Sequence, residues 1–77
     1  MMLNLKKNNI KDIFPLRECT SLVYLNVANN KITHCEPLKA LHKLANLHLE
    51  DNLIKNQKSL KGLDNCKGLV FFTLNNI

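Results

Sequence analysis

An eight-residue pattern recurs three times at a fixed interval of 22 residues, and that interval constrains the fold more than any other feature of the chain. Leu3-Asn4-Leu5-Lys6-Lys7-Asn8-Asn9-Ile10 returns as Leu25-Asn26-Val27-Ala28-Asn29-Asn30-Lys31-Ile32, and again as Leu47-His48-Leu49-Glu50-Asp51-Asn52-Leu53-Ile54. Each copy reads L-x-[LV]-x-x-N-x-I, with Asn8, Asn30 and Asn52 in register. The flanks align as well: Pro15 with Pro37, Leu16 with Leu38 and Leu60, Leu22 with Leu44. A unit this short cannot bury an apolar face by itself, so its copies must stack.

Alternation places Leu3 and Leu5, Leu25 and Val27, Leu47 and Leu49 on one face of short strands. Stacking joins those strands into a parallel sheet with about 4.8 Å between neighbours. The chain turns directly after each strand, which leaves backbone polar groups inside the bend. An Asn side chain, with one carbonyl acceptor and two N–H donors, can satisfy them. Asn8, Asn30 and Asn52 are therefore expected to form an internal ladder. On the return path Leu16, Cys19 and Leu22 recur every three residues, as do Leu38, Leu41 and Leu44, and Leu60, Leu63, Cys66 and Leu69. Period three suits a 3₁₀ or short α segment with one apolar stripe. Pro15 and Pro37 stand just before the first Leu, where a missing N–H does no harm. Ser59 takes their place in the third unit as a candidate cap. Leu47 to Phe72 spans 25 residues against 22 for Leu25 to Leu47, so one extra triplet is expected in the third outer segment. The repeat units are then 3–24, 25–46, 47–71 and a partial 72–77, with Ile77 where a ladder Asn belongs.

These motifs resemble the leucine-rich repeat family and cover nearly the whole chain. The 22-residue spacing and the Leu38-x-x-Leu41-x-x-Leu44 run are similar to its short intracellular subclass. That subclass includes a nuclear regulator of protein phosphatase 1, a spliceosomal U2 particle protein and an outer-arm dynein light chain. The resemblance implies an α/β solenoid of about three and a half repeats over residues 1–77, with parallel inner strands and outer 3₁₀ or short α-helices. It also implies a non-catalytic scaffold that binds a protein partner through its concave sheet. The implied setting is a large intracellular assembly, such as a ciliary axoneme or a phosphatase complex, in the cytoplasm or its cytoskeleton, with the nucleus left open. Neither end of the pattern shows a polar cap, so a fragment of a longer solenoid is expected.

Composition agrees. Fifteen Leu and 12 Asn supply much of the 77-residue chain, and 45% hydrophobic with 22% charged residues is a globular rather than a disordered balance. A chain of this length makes one domain and buries only about 60% of its unfolded surface. Three cysteines do not make a disulfide framework, which favours a reducing compartment. The longest apolar run, Leu69-Val70-Phe71-Phe72, is far below the roughly 18 residues of a membrane span, and no membrane partner is expected. Met1 to Leu5 leads straight into Lys6 and Lys7, which is not the pattern of a secretion leader.

The residues alternating with the core Leu positions form the concave face: Met2, Asn4 and Lys6; Tyr24, Asn26 and Ala28; Asn46, His48 and Glu50; Phe71, Thr73 and Asn75. Tyr24, Asn26, Asn46, His48, Glu50, Phe71 and Thr73 are the candidate partner-binding residues, with Tyr24 and Phe71 as aromatic anchors. Tyr24, Asn46 and Phe71 are expected in one column, with Asn26, His48 and Thr73 beside it. Glu50 and Asp51 at one end, and Lys6 and Lys7 two repeats away, set a charge gradient that would steer a partner. As a catalytic pair Glu50 and Asp51 fail, because neighbours in a strand point to opposite sides. No nucleophile–base set or Gly-rich phosphate loop is present, and Gly62 and Gly68 are placed on the third outer segment. No enzymatic activity, cofactor or small-molecule substrate is expected.

Cys19, Cys35 and Cys66 stand at core positions of the repeat and read as small buried hydrophobes. A zinc site from His34, Cys35 and His42 is the weaker reading, since no C-x-x-C or H-x-x-x-H spacing accompanies them. The formal charge of +5 raises nucleic acid as a partner. Arg17, Lys39, Lys43, Lys58, Lys61 and Lys67 are dispersed over the outer side without interleaved aromatics, which is a solvating surface more than a phosphate footprint. The alternative function is thus a ribonucleoprotein component that uses this basic outer face on RNA.

Overall fold

The computed structural model describes residues 1–55, 57–60, 63, 66 and 68–73. Four short strands, Met2–Asn4 (β1), Tyr24–Asn26 (β2), Asn46–Leu49 (β3) and Leu69–Phe72 (β4), pair in chain order as one parallel sheet. Between them, among the described residues, the outer side carries the 3₁₀ turns Phe14–Glu18, Glu36–Ala40 and Gln57–Leu60. The expected choice between 3₁₀ and α falls to 3₁₀ for a local reason. Leu16, Cys19 and Leu22 each donate their N–H to the carbonyl three residues back, at 2.9–3.1 Å, and Leu38, Leu41 and Leu44 do the same. Side chains three apart then eclipse, and the apolar triplets make one stripe on the core. Pro15 and Pro37 lie in the first positions of their turns, where no N–H is missed. Ser59 lies third in its turn, one place deeper than Pro15 and Pro37 in theirs.

The core is laid down by position along the stack. Leu22, Leu25, Val27, Ile32, Leu41, Leu44, Leu47, Leu49 and Ile54 are fully buried, whereas Leu3, Leu5 and Ile10 of the first copy are half-buried. Leu38 is buried, but its equivalents Leu16 and Leu60 are half-buried. Identical residue types differ by place in the stack: β1 is an edge strand, and of these outer turns only the middle one, Glu36–Ala40, has a described turn on both sides.

The ladder joins units to one another as well as closing bends. Asn30 Nδ2 donates to the carbonyls of Val27 (2.9 Å) and Ala28 (3.1 Å) in its own unit and Leu5 (3.0 Å) in the previous one. Its Oδ1 accepts the N–H groups of Asn8 (3.1 Å) and Ile10 (3.0 Å). Asn52 repeats this one unit on, donating to Val27 and Leu49 at 3.0 Å and accepting from the Ile32 N–H at 3.0 Å. The residue before each ladder Asn has left-handed backbone: Lys7 (φ 61°), Asn29 (φ 57°) and Asp51 (φ 56°). Asn and Asp tolerate this region, but Lys does not gain from it. Lys7→Asn is expected to stabilise the chain by up to about 1 kcal/mol, read as a higher urea midpoint at unchanged slope.

The last strand departs from the expected register. Leu47 pairs with Val70, His48 with Phe71 and Leu49 with Phe72, so the third unit is 23 residues long rather than 25. No triplet has been added, and the unit 47–71 ends at residue 69 instead. Cys66 still occupies the place of Leu22 and Leu44, donating its N–H three residues back to Leu63. The single extra residue therefore enters between Cys66 and Val70. Gly68 lies there, beside β4 and not on the outer turn, with its backbone against that of Ala45. In this register Val70, Phe72, Asn75 and Ile77 spell a fourth copy of the motif, and Asn75 rather than Ile77 takes the ladder position in the sequence; both lie outside the described residues.

Cys35 is fully buried, and burial pushes its thiol up to about 11. An unfolded chain releases that proton near pH 8.5, so between there and pH 11 the folded state binds more protons and stability falls as pH rises. Cys35→Ala should cost about 1–2 kcal/mol at pH 8 through the cavity, and that cost should shrink as pH rises toward 11. Urea titrations of both proteins under reducing conditions at pH 8 and pH 10.5 check this; a cost that stays constant would refute it.

Candidate functional site on the concave sheet

The outward residues of the strands line up across the sheet. Tyr24 pairs with Asn46, and Asn26 with His48, as expected. Phe71, however, falls in the column of Asn26 and His48 and not in that of Tyr24 and Asn46, because β4 is offset by the 23-residue spacing. That offset creates an aromatic row. The His48 and Phe71 rings stack nearly parallel, 8° apart with centroids at 4.6 Å, and Tyr24 lies diagonally on the other side of His48 at 5.7 Å and 53°. Phe71 remains 40% exposed, while Tyr24 and His48 are half-buried. Such rings hold one another in place, so little rotamer freedom is left to lose on binding.

The other candidate residues divide by what their polar atoms already do. Asn26 is largely committed: its Oδ1 accepts the Ala28 N–H at 3.0 Å, and its Nδ2 donates to the Tyr24 hydroxyl at 3.4 Å. Asn4 closes the first strand in the same way, accepting the Lys6 N–H at 3.1 Å. His48 stands in their place in the third unit and turns to Glu50, with Nδ1 at 3.1 and 3.3 Å from the two carboxylate oxygens. A carboxylate only accepts, so Nδ1 carries the proton of that contact. Asn46 Oδ1 is buried and has no hydrogen bond among the described residues, so it is not offered to a partner. Thr73 Oγ1 accepts the Asp51 N–H at 2.9 Å, tying the end of β4 to the third bend. Ala28, expected on the open face, is buried at 2% exposure. Of the ladder residues, Asn30 and Asn52 are buried and Asn8 is exposed.

The zinc reading does not assemble. Cys35 lies in the core, while His34 and His42 are exposed, and His34 Nδ1 meets the Thr33 hydroxyl at 2.9 Å. Among the described residues no group of three His, Cys, Asp or Glu is placed to hold a metal ion, and no helix is long and apolar enough to cross a membrane. The outer side holds a feature that repeat spacing did not reveal, an open groove of about 500 Å³ between the first two turns. Arg17 lies over the Phe14 ring at 3.8 Å there, and Lys39 Nζ is 3.4 Å from Glu36. The sequence signal was present in Phe14, an aromatic at an outward position whose equivalent is Glu36.

The family model for leucine-rich repeats (2 copies) matches residues 2–40. Among solved structures, an internalin (inlF) from Listeria monocytogenes is 29% identical with a TM-score of 0.56, the match covering 99% of this chain and 29% of that one. Internalin C2 from Listeria monocytogenes is 31% identical with a TM-score of 0.55, over 92% of this chain and 41% of that one. The chain thus spans less than half the length of either internalin. No curated protein matches it.

Proposed function

The chain belongs to the leucine-rich repeat family, whose members generally mediate protein–protein interaction, and from that premise we propose that it is a non-catalytic scaffold binding a protein partner through its concave sheet. The observation that carries this reading is the row Tyr24–His48–Phe71, three rings packed side by side on an open parallel sheet. Aromatic anchors held in fixed geometry are what interface centres are built from. The RNA alternative is less well supported, since Arg17 stacks on Phe14 near Glu18, and Lys39 meets Glu36. An intracellular setting is part of the proposal and draws on the three unpaired cysteines. Membership of an assembly such as an axoneme or a phosphatase complex draws only on the resemblance to the 22-residue subclass.

Affinity capture from cells that express the protein tests the reading, comparing wild type with a Tyr24→Ala, His48→Ala, Phe71→Ala triple variant of unchanged fold. The expected result is a partner retained by wild type and lost by the variant. An identical set of partners for both would move the site to the outer turns.

A further inference from the structure

The outer side carries a second surface, in the groove of about 500 Å³ between the turns Phe14–Glu18 and Glu36–Ala40. That size lies within the range of about 300–1,000 Å³ that ligand pockets occupy. In a 3₁₀ turn residues three apart stand one above the other. The first turn thereby sets Arg17 on Phe14, and at the same positions of the second turn Lys39 meets Glu36. Phe14 is fixed by its flanks: its N–H donates to the Asp12 carboxylate at 2.9 Å, and Pro15 follows it at the start of the turn. The residue is still 49% exposed and, with Pro37 and Ala40, supplies the apolar part of the groove.

The charges that line this groove are not equally used. Glu36 is its one acid and is met by Lys39 at 3.4 Å, while His34 adds no negative charge. Arg17 donates no hydrogen bond to any described residue. Its pair with Glu18 is 3.8 Å long and exposed to solvent, which makes it weak. The guanidinium carbon is 3.8 Å from the Phe14 centroid. An edge-on guanidinium at that distance would drive a nitrogen into the ring, so it lies face-on and its N–H donors point outward along its own plane. A carboxylate fits such a fork by two parallel bonds.

We propose that the groove takes a short acidic peptide segment of a partner protein, with an Asp or Glu carboxylate on the donor edge of Arg17 and a nearby bulky apolar side chain on Phe14, Pro37 and Ala40. An unmet cation beside an apolar wall complements an acid and an apolar group close together in sequence. A basic segment would leave Arg17 opposed by like charge, and a polyanion such as RNA would set further negative charge against Glu36. This surface is separate from the concave sheet, and the inference does not rest on that sheet being a binding face.

Phage display of random peptides tests it, run in parallel on the immobilised full protein and on its Phe14→Ala, Arg17→Gln double variant. Both residues are about half exposed, and an unchanged urea midpoint is checked first. Peptides enriched on wild type alone should carry Asp or Glu within two positions of a bulky apolar residue. Arg17→Gln and Phe14→Ala should each weaken them about tenfold, and changing the acid of the peptide to its amide should do the same. Arg17→Glu should select a basic residue in place of the acid. The Tyr24→Ala, His48→Ala, Phe71→Ala variant should bind these peptides as wild type does. Peptides that bind Arg17→Gln as tightly as wild type, or wild-type-specific peptides without an acid, would overturn the proposal. So would equal enrichment on both proteins, or none. Peptides lost only on the triple variant would overturn it too, while leaving the concave sheet as the binding face.

Discussion

Asn52→Ala should lower stability by about 3–5 kcal/mol, enough to leave a large fraction of so small a domain unfolded at 25 °C. The side chain is 2% exposed, and among the groups it serves are four of the backbone: the carbonyls of Val27, Leu49 and Glu50, and the N–H of Ile32. Two of those four belong to the preceding unit, so the loss uncouples neighbours as well as opening a bend. Each buried group left unmet costs about 1–3 kcal/mol, and the methyl of Ala offers nothing in exchange. Asn52→Asp should be no milder, since it keeps the Ile32 contact but sets a carboxylate against three carbonyls. Asn8→Ala is the control. Asn8 is exposed, and its side-chain Nδ2 donates to the Leu5 and Lys6 carbonyls of its own unit, where water can replace it, so about 1 kcal/mol or less is expected. Urea unfolding followed by circular dichroism measures all three. Equal losses at Asn52 and Asn8 would show that the side chain matters within a unit and not between units.

Gly68→Ala should be comparably damaging, for steric rather than polar reasons. A Cβ at Gly68 would sit 1.7 Å from the Ala45 carbonyl oxygen, 2.5 Å from its carbon and 2.8 Å from its Cα. All three are backbone atoms, so no side-chain rotation relieves the overlap, and β4 must move away from β3. The expected cost is about 3 kcal/mol, at the upper end of overpacking penalties. Hydrogen exchange should show it as lost protection across Leu69–Phe72 with β1 and β2 unchanged. Because β4 presents Phe71 to His48, partner binding should fall with it. Ala45→Gly in the same chain should not rescue, since the clash is with main chain. Rescue would mean that the two strands approach less closely than described.

Much of this architecture is legible in the residues themselves. Leu25 and Val27, or Leu47 and Leu49, announce the inner strands by alternation, and Asn30 and Asn52 announce the bends because few side chains can donate and accept in so small a space. Triplets such as Leu38, Leu41 and Leu44 announce the outer stripe, although period three did not distinguish 3₁₀ from a short helix. The frame of the fourth strand is ambiguous in the sequence, because Phe72 and Leu74 imitate L-x-L as Val70 and Phe72 also do, and nothing local separates the two. Gly68 carried the missing information, since a residue with no Cβ allows the close approach that admits one extra residue.

Amino-acid order alone dictates the repeat interval, the inward face of each unit and the Asn ladder, since these follow from periods of two, three and 22 along one chain. The packing of separate units decides the rest. It sets the 23-residue step into β4, the stacking of His48 on Phe71, the commitment of Asn26 to Tyr24 and Ala28, and the burial of Leu38 against the half-burial of Leu16. These depend on where one unit comes to rest on the next. A shift of two residues keeps every side chain on its own face of the strand while changing every cross-strand neighbour, so alternation cannot see it and only the assembled sheet resolves it.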